Sequence, residues 1–231
     1  KDRSTTSVLQ SSQLRNPDWR ISLEEAMGGK LLNEFVTTAQ GIKTGDDPRW
    51  ACCFWEIAQV SRDWRFFQTS PTQVCLHTGR SFVIDWSTNG EGMVRPRLQS
   101  VVVGKRGVVA GVMRTISVTL YDGELHDSGA TPMVPTDPED LPAIWAFCSS
   151  SEYNKQIRTI EQKIAVTTDT LAKVPFDLPY WRNIAAERFP NGLPKPHTED
   201  PTQWLFDGYP KQSEAPLHVA AARIVGYRWP R

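Results

Sequence analysis

Between Trp64 and Ser128 the apolar residues fall into short runs separated by turn formers, and this stretch constrains the fold more than any other part of the chain. Phe66-Phe67, Ser81 to Trp86, Val101 to Val103, Val108-Val109, Val112-Met113 and Ile116 to Tyr121 are too short for helices. They are rich in the β-branched and aromatic residues that suit a pleated surface. Asp122-Gly123 reads as a turn and Leu125 to Ser128 as one more short strand. Pro132 to Pro142, with four prolines, reads as an irregular crossing loop.

Helical spacing flanks this region on both sides. Ser22-Leu23-Glu24-Glu25 has the form of a helix start, and Leu23, Met27, Leu31, Leu32 and Phe35 follow at helical intervals, weakened by Gly28-Gly29. Asp46 or Asp47 before Pro48 is a second start signal, because Asp caps free amides and proline suits the first helical position. Arg49 to Val60 carries Trp50, Cys53, Phe54 and Ile57 on one side; it fits a short helix or a strand, and the helix is the expectation carried forward. Leu141 to Phe147 and Asn154 to Ile164 read as helices, Val174 to Pro179 as extended, and Trp181 to Phe189 as a short helix. Leu217 to Tyr227 looks helical after the proline-rich Pro190 to Pro201. The expected fold class is α+β: a small mixed or antiparallel sheet flanked by helices, with a helical C-terminal extension.

With 39% hydrophobic and 23% charged residues in 231, the chain is globular. No apolar run approaches the ~20 residues of a membrane span, and no charged-then-apolar leader precedes the domain, so a cytoplasmic protein with no membrane partner is expected. The chain opens at Lys1 without methionine and stops at Trp229-Pro230-Arg231, ends that read as cuts through a longer polypeptide. Cys52, Cys53, Cys75 and Cys148 form no C-x-x-C pair and are expected to be reduced thiols. His77, His126, His197 and His218 lack the spacing of a zinc site.

No G-x-S-x-G, H-E-x-x-H or phosphate-cradling G-x-x-x-x-G-K-[ST] is present, and nothing assembles a nucleophile with a base and an orienting group. Net charge is zero, unlike strongly basic nucleic-acid binders with pI above about 9. Local charge is another matter. From Val94 to Tyr121 the chain carries Arg95, Arg97, Lys105, Arg106 and Arg114 and no Asp or Glu. Arginine offers two parallel donors to guanine, and arginine and lysine both neutralise phosphates. These five are expected to converge on one face.

Gly41-Ile42-Lys43-Thr44-Gly45-Asp46-Asp47-Pro48-Arg49-Trp50 resembles the G-x-x-T-G-D-N-x-R-F signature that follows the catalytic domain of large adenine-specific DNA methyltransferases. Those enzymes include type IIG restriction-modification proteins and the BREX and DISARM phage-defence methylases. Phe54-Trp55-Glu56-Ile57, Asp85 to Gly90, Ile144 to Ser150, Val174 to Leu178, Asp200 to Phe206 and Ala220 to Pro230 extend the resemblance in the same order. Asp47 departs from the usual Asn of the signature. The family's N-P-P-[YF] loop is missing: the one Asn-Pro, Asn16-Pro17, is followed by Asp18-Trp19. A glycine-rich S-adenosylmethionine loop is missing too.

The resemblance implies a DNA target-recognition region (21–190) between a linker (1–20) and a proline-rich link with helical continuation (191–231). It also implies double-stranded DNA and the catalytic methyltransferase domain of the same parent chain as partners. No cofactor is expected in this stretch; S-adenosylmethionine belongs to the parent enzyme. Lys43, Thr44 and Arg49 are the expected contacts near the catalytic junction, and Arg95, Arg97, Lys105, Arg106 and Arg114 the candidates for phosphate or base contacts. The alternative is a protein-interaction module of a defence complex without direct DNA contact.

Overall fold

The short β runs pair into two four-stranded sheets. The computed structural model describes residues 7–14, 16, 19, 29–57, 61–194, 217, 220, 221 and 224. In chain order these form α1 (Gln10–Gln13), β1 (Val36–Thr38), α2 (Asp47–Trp50), β2 (Ala51–Cys53), β3 (Trp64–Gln68), β4 (Phe82–Asp85) and β5 (Gly107–Gly111). Then follow β6 (Val118–Tyr121), β7 (Leu125–His126), β8 (Ala130–Pro135), α3 (Leu141–Cys148), α4 (Ser151–Ile160), α5 (Thr168–Ala172) and α6 (Leu178–Arg188). The larger sheet runs β1-β8-β5-β6 and is antiparallel throughout. The second runs β2-β4-β3-β7 and is mixed, with β7 parallel to β3. The class is α+β, with two sheets where one was expected.

Every residue of β5, β6 and β8 is buried, because the larger sheet is covered on both faces. Val108, Ala110, Val118, Leu120 and Met133 meet the helices through Ile144, Phe147, Tyr153, Ile157, Leu171 and Phe176. Val109, Tyr121, Ala130 and Val134 face the other way and close over Val102. The period-two alternation therefore divides one apolar run between two cores. α3 is apolar all round: Ile144 and Phe147 enter the main core, while Ala143 and Ala146 let α6 approach at Ala185. Asp140 at the head of α3 ion-pairs with Arg182 of α6 at 2.6 Å. Side-chain oxygens of Ser150 and Asp177 cap α4 and α6.

Pro132 to Pro135 lies inside β8, a central strand, and not in a crossing loop. The amide of Thr136 donates to Phe35 O at 2.8 Å, and that of Val112 to Gly129 O at 3.1 Å. This fixes the alternation: residues 132, 134 and 136 turn their backbone groups toward β1, and 129, 131, 133 and 135 toward β5. The β1 ladder ends at Thr38 opposite Met133, and the β5–β8 pairing reaches only to Val108 opposite the same residue. Each proline nitrogen therefore points at a neighbour just past the end of its ladder, and neither removes a strand bond.

Other expectations also change. Val101 to Val103 forms turns, with Val102 fully buried and the Lys105 amide closing onto Val102 O at 3.1 Å. The expected helix from Arg49 to Val60 stops at Trp50 and gives way to β2 and a 3-10 turn at Phe54–Glu56; residues 58–60 lie outside the described part. β4 supplies the reason, since Ala51 to Cys53 pairs with Phe82 to Ile84. The first half of the expected helix from Ser22, residues 22–28, lies outside the described residues, and its end, Leu32–Glu34, is a 3-10 turn. α6 begins at Leu178, inside the stretch expected to be extended. Of the expected C-terminal helix, Leu217, Ala220, Ala221 and Ile224 are described and helical.

Candidate nucleic-acid interface

The segment before α2 is held against the second sheet by a close backbone approach. A Cβ on Gly41 would lie 1.9 Å from Asp127 O, so only glycine lets the chain pass there. The Ile42 amide then donates to His126 O at 2.8 Å and Ile42 enters the smaller core with Trp50, Phe67, Ile84 and Leu125. Next, Lys43 and Arg95 exchange backbone bonds of 3.0 and 2.8 Å as an antiparallel bridge, and Val94 donates to Thr44 O at 3.1 Å.

This bridge gathers an exposed basic cluster. Arg95 Nη1 donates to Gln40 Oε1 at 3.3 Å, and Arg97 Nη2 donates to the same oxygen. Lys43, Arg95 and Arg97 are all exposed. Among the described residues neither guanidinium has a carboxylate partner, so the two charges meet only a neutral amide oxygen, which favours an anionic partner. Arg97 has φ +55°, a left-handed conformation that costs a β-carbon-bearing residue energy and recurs at functional sites. Val94 (66% exposed), Leu98 (64%) and Val101 (57%) interleave with the arginines on the same loop.

The other candidates are dispersed. Thr44 is 3% exposed and its hydroxyl donates to Asp47, while the Asp46 amide donates to Thr44 Oγ1 at 3.2 Å. It shapes the turn into α2 and is not a surface contact. Asp47 is thereby drawn to Thr44, and Asp46, at the cap position, makes no side-chain cap bond. Arg49 is exposed and stacks its guanidinium 4.9 Å from the Trp50 ring centroid. Lys105 and Arg106 are exposed on the turn before β5; Arg106 Nε pairs with Asp122 Oδ1 at 2.9 Å. Arg114 sits at the opposite end of the β5–β6 hairpin, about 14 Å further along by strand rise, with its amide on Ile164 O. The five basic residues therefore do not all converge: Arg95 and Arg97 join Lys43, while Arg114 lies at the opposite end of the hairpin from Lys105 and Arg106.

Beneath the loops lie two buried groups that sequence reasoning missed. Arg80, 3% exposed, reaches Asp122 at 2.8 Å and Glu124 at 3.0 Å, pinning the β6–β7 turn. Burial pushes the Asp122 carboxyl up, but Arg80 and Arg106 outweigh it and hold the group below its ordinary range. His126, packed edge-on against Tyr121, is lowered to about 4 by burial, opposed only in part by the carbonyls of Ala39, Glu124 and Gln40. Burial raises the Asp127 carboxyl, against the amides of Gly129 and Ser70 that donate to it. Gln40 and a pair of arginines in a separate cleft, Arg62 and Arg65, were also missed. Gln40 had a signal in its place beside Gly41; Arg80 and His126 had none, because the groups they meet lie far away in sequence, and Arg62 and Arg65 had none, because only the fold brings them to one cleft with Trp86.

The arrangement is suited to binding. Among the described residues no group of three or more His, Cys, Asp or Glu is placed to hold a metal, and no helix is long and apolar enough to cross a membrane. All four cysteines are free thiols. No family model matches the sequence, and no curated protein matches it. Among solved structures the chain is similar to the Type IIL restriction-modification enzyme MmeI in complex with DNA, at 11% identity and a TM-score of 0.47. That match covers 90% of this chain and 36% of the other.

Proposed function

We propose that this chain is the DNA target-recognition part of a site-specific adenine-N6 DNA methyltransferase of a restriction-modification or phage-defence system. It grips duplex DNA and presents it to a catalytic domain of the same polypeptide, where S-adenosylmethionine binds and the methyl group is transferred. The observation that carries the reading is the Lys43–Arg95–Arg97 cluster, exposed around Gln40 and, among the described residues, unmatched by carboxylates. Lysine and arginine there neutralise phosphates, and a guanidinium reaching the major groove can pair with guanine O6 and N7. Val94 and Leu98 add apolar surface of the kind that meets thymine methyl groups.

The test is a binding titration of the whole chain against mixed-sequence duplex between about 50 and 200 mM salt. Two or three phosphate contacts predict log Kd rising linearly with log salt with a slope of about 2 to 3. Affinity that ignores salt, or no retention at the lowest salt, refutes the reading. The exposure of Val94, Leu98 and Val101 favours one second reading, a docking loop for a partner protein. A partner subunit captured by the chain and released by Leu98→Asp, without any DNA retention, is the result that reading requires.

A further inference from the structure

The end of the second sheet holds a polar cleft of about 540 Å³, lined by Ser61, Arg62, Asp63, Arg65, Trp86, Ser87 and Asn89. Its cations are uncommitted: neither Arg62 nor Arg65 has a hydrogen-bond or ion-pair partner among the described residues, although Arg65, on β3, is half-buried. Two guanidiniums against the single carboxylate of Asp63 leave the cleft with a net positive charge, which calls for an anion from outside. The backbone of Asp63 ties this wall to β4, its carbonyl accepting from the Trp86 amide at 2.6 Å. Trp86 is half-buried, packing on the smaller core while also lining the cleft. The turn that follows closes with the Asn89 amide on Trp86 O at 2.9 Å and puts Asn89 in the left-handed region, φ +53°. The cleft adjoins the basic cluster, because a Cβ on Gly90 would lie 2.6 Å from Pro96 and 3.2 Å from the Trp86 ring. Pro96 sits between Arg95 and Arg97.

We propose that this cleft receives one unpaired nucleotide of a DNA strand, its phosphate between Arg62 and Arg65 and its base against Trp86. The inference rests on the DNA-binding reading above. The space far exceeds that of a phosphate, and an aromatic ring beside two cations is the pairing that single-stranded binders use for base and backbone. The base must be unpaired, because in a duplex both of its faces are covered by its neighbours. Ser61, Ser87 and Asn89 supply polar side chains for the base edge and sugar.

The test compares two duplexes of identical sequence, one fully paired and one with a single unpaired thymine, on the whole chain and on Arg62→Ala/Arg65→Ala. The unpaired duplex should bind the unsubstituted chain about tenfold tighter, the order expected of one base–aromatic stack. The double variant should lose that gain and keep most of its affinity for the paired duplex. Trp86→Phe should keep part of the gain. Equal binding of both duplexes by the unsubstituted chain overturns the proposal, as does equal loss on both in the double variant, which would mark the cleft as a plain duplex-phosphate contact. A chain that binds neither duplex overturns the DNA-binding reading itself.

Discussion

Acid should loosen the interface through His126. The ring is 2% exposed, and burial lowers its pKa from the ordinary 6.5 to about 4. Between those values the unfolded chain holds a proton that the folded chain does not, so stability must fall as pH falls through the window. The contribution is nearly constant above pH 7. It reaches roughly 2 kcal/mol of lost stability at pH 5 and about 3 kcal/mol below pH 4, at 1.36 kcal/mol per pKa unit. Other groups titrate too, so the informative quantity is a difference. His126→Phe keeps a ring beside Tyr121 and removes the titration. Denaturant midpoints with unchanged m-values, measured from pH 7 to pH 5, should show the unsubstituted chain losing about 2 kcal/mol more than the variant. Parallel pH profiles would refute the argument, because they would mean that the folded ring takes its proton as readily as the unfolded one. Functionally, Gln40 lies beside this ring and His126 O holds Ile42, so the same acid window should weaken the basic cluster before the main core.

Two further substitutions probe the scaffold. Gly41→Ala drives a Cβ into the Asp127 backbone and should cost about 3 kcal/mol, at the upper end of overpacking effects, with faster hydrogen exchange at the Ile42 amide. An unchanged Tm would show that the segment can shift freely. Arg80→Met leaves Asp122 and Glu124 facing each other without their shared cation and should cost roughly 3–5 kcal/mol in urea unfolding at pH 7. The loss should shrink in acid as the Asp122 carboxylate protonates; a loss independent of pH would deny the ion pair its role.

How much was legible follows from the range of the interactions. Val108-Val109, Ile116 to Tyr121 and the helices around Leu141, Asn154 and Trp181 were readable because alternation and helical spacing are local properties, although the second of these helices is Ser151–Ile160 and leaves Ile164, expected at its end, outside and exposed. Val101 to Val103 has the composition of a strand but no partner strand, and it buries Val102 from a turn. Pro132 and Pro135 argued against a central strand, and only the staggered ends of two ladders admit them. Ala51 to Cys53 is pulled into a sheet by β4, some thirty residues onward. At the site, the density of arginines was visible, but its division was not. Arg97 and Gln40 are 57 positions apart, and Arg80 and Asp122 are 42 apart, so no local pattern distinguishes the shared amide or the buried cation from solvated side chains. Thr44 shows the converse: a residue of the signature whose buried hydroxyl serves the turn.

The salt dependence of duplex binding by Arg95→Ala, Arg97→Ala and Lys43→Ala, with Arg114→Ala beside them, tests the central claim most directly. Each phosphate-contacting member of the cluster should lower the log–log salt slope by about one unit, and a base-reading arginine should instead cost about 1–3 kcal/mol at one position of the target sequence. Arg114→Ala, outside the group gathered at Gln40 and the Lys43–Arg95 bridge, should leave both quantities unchanged. Unaltered slopes and sequence choice in all three cluster variants, with a reduced slope in Arg114→Ala, would place the DNA on another surface and contradict the account.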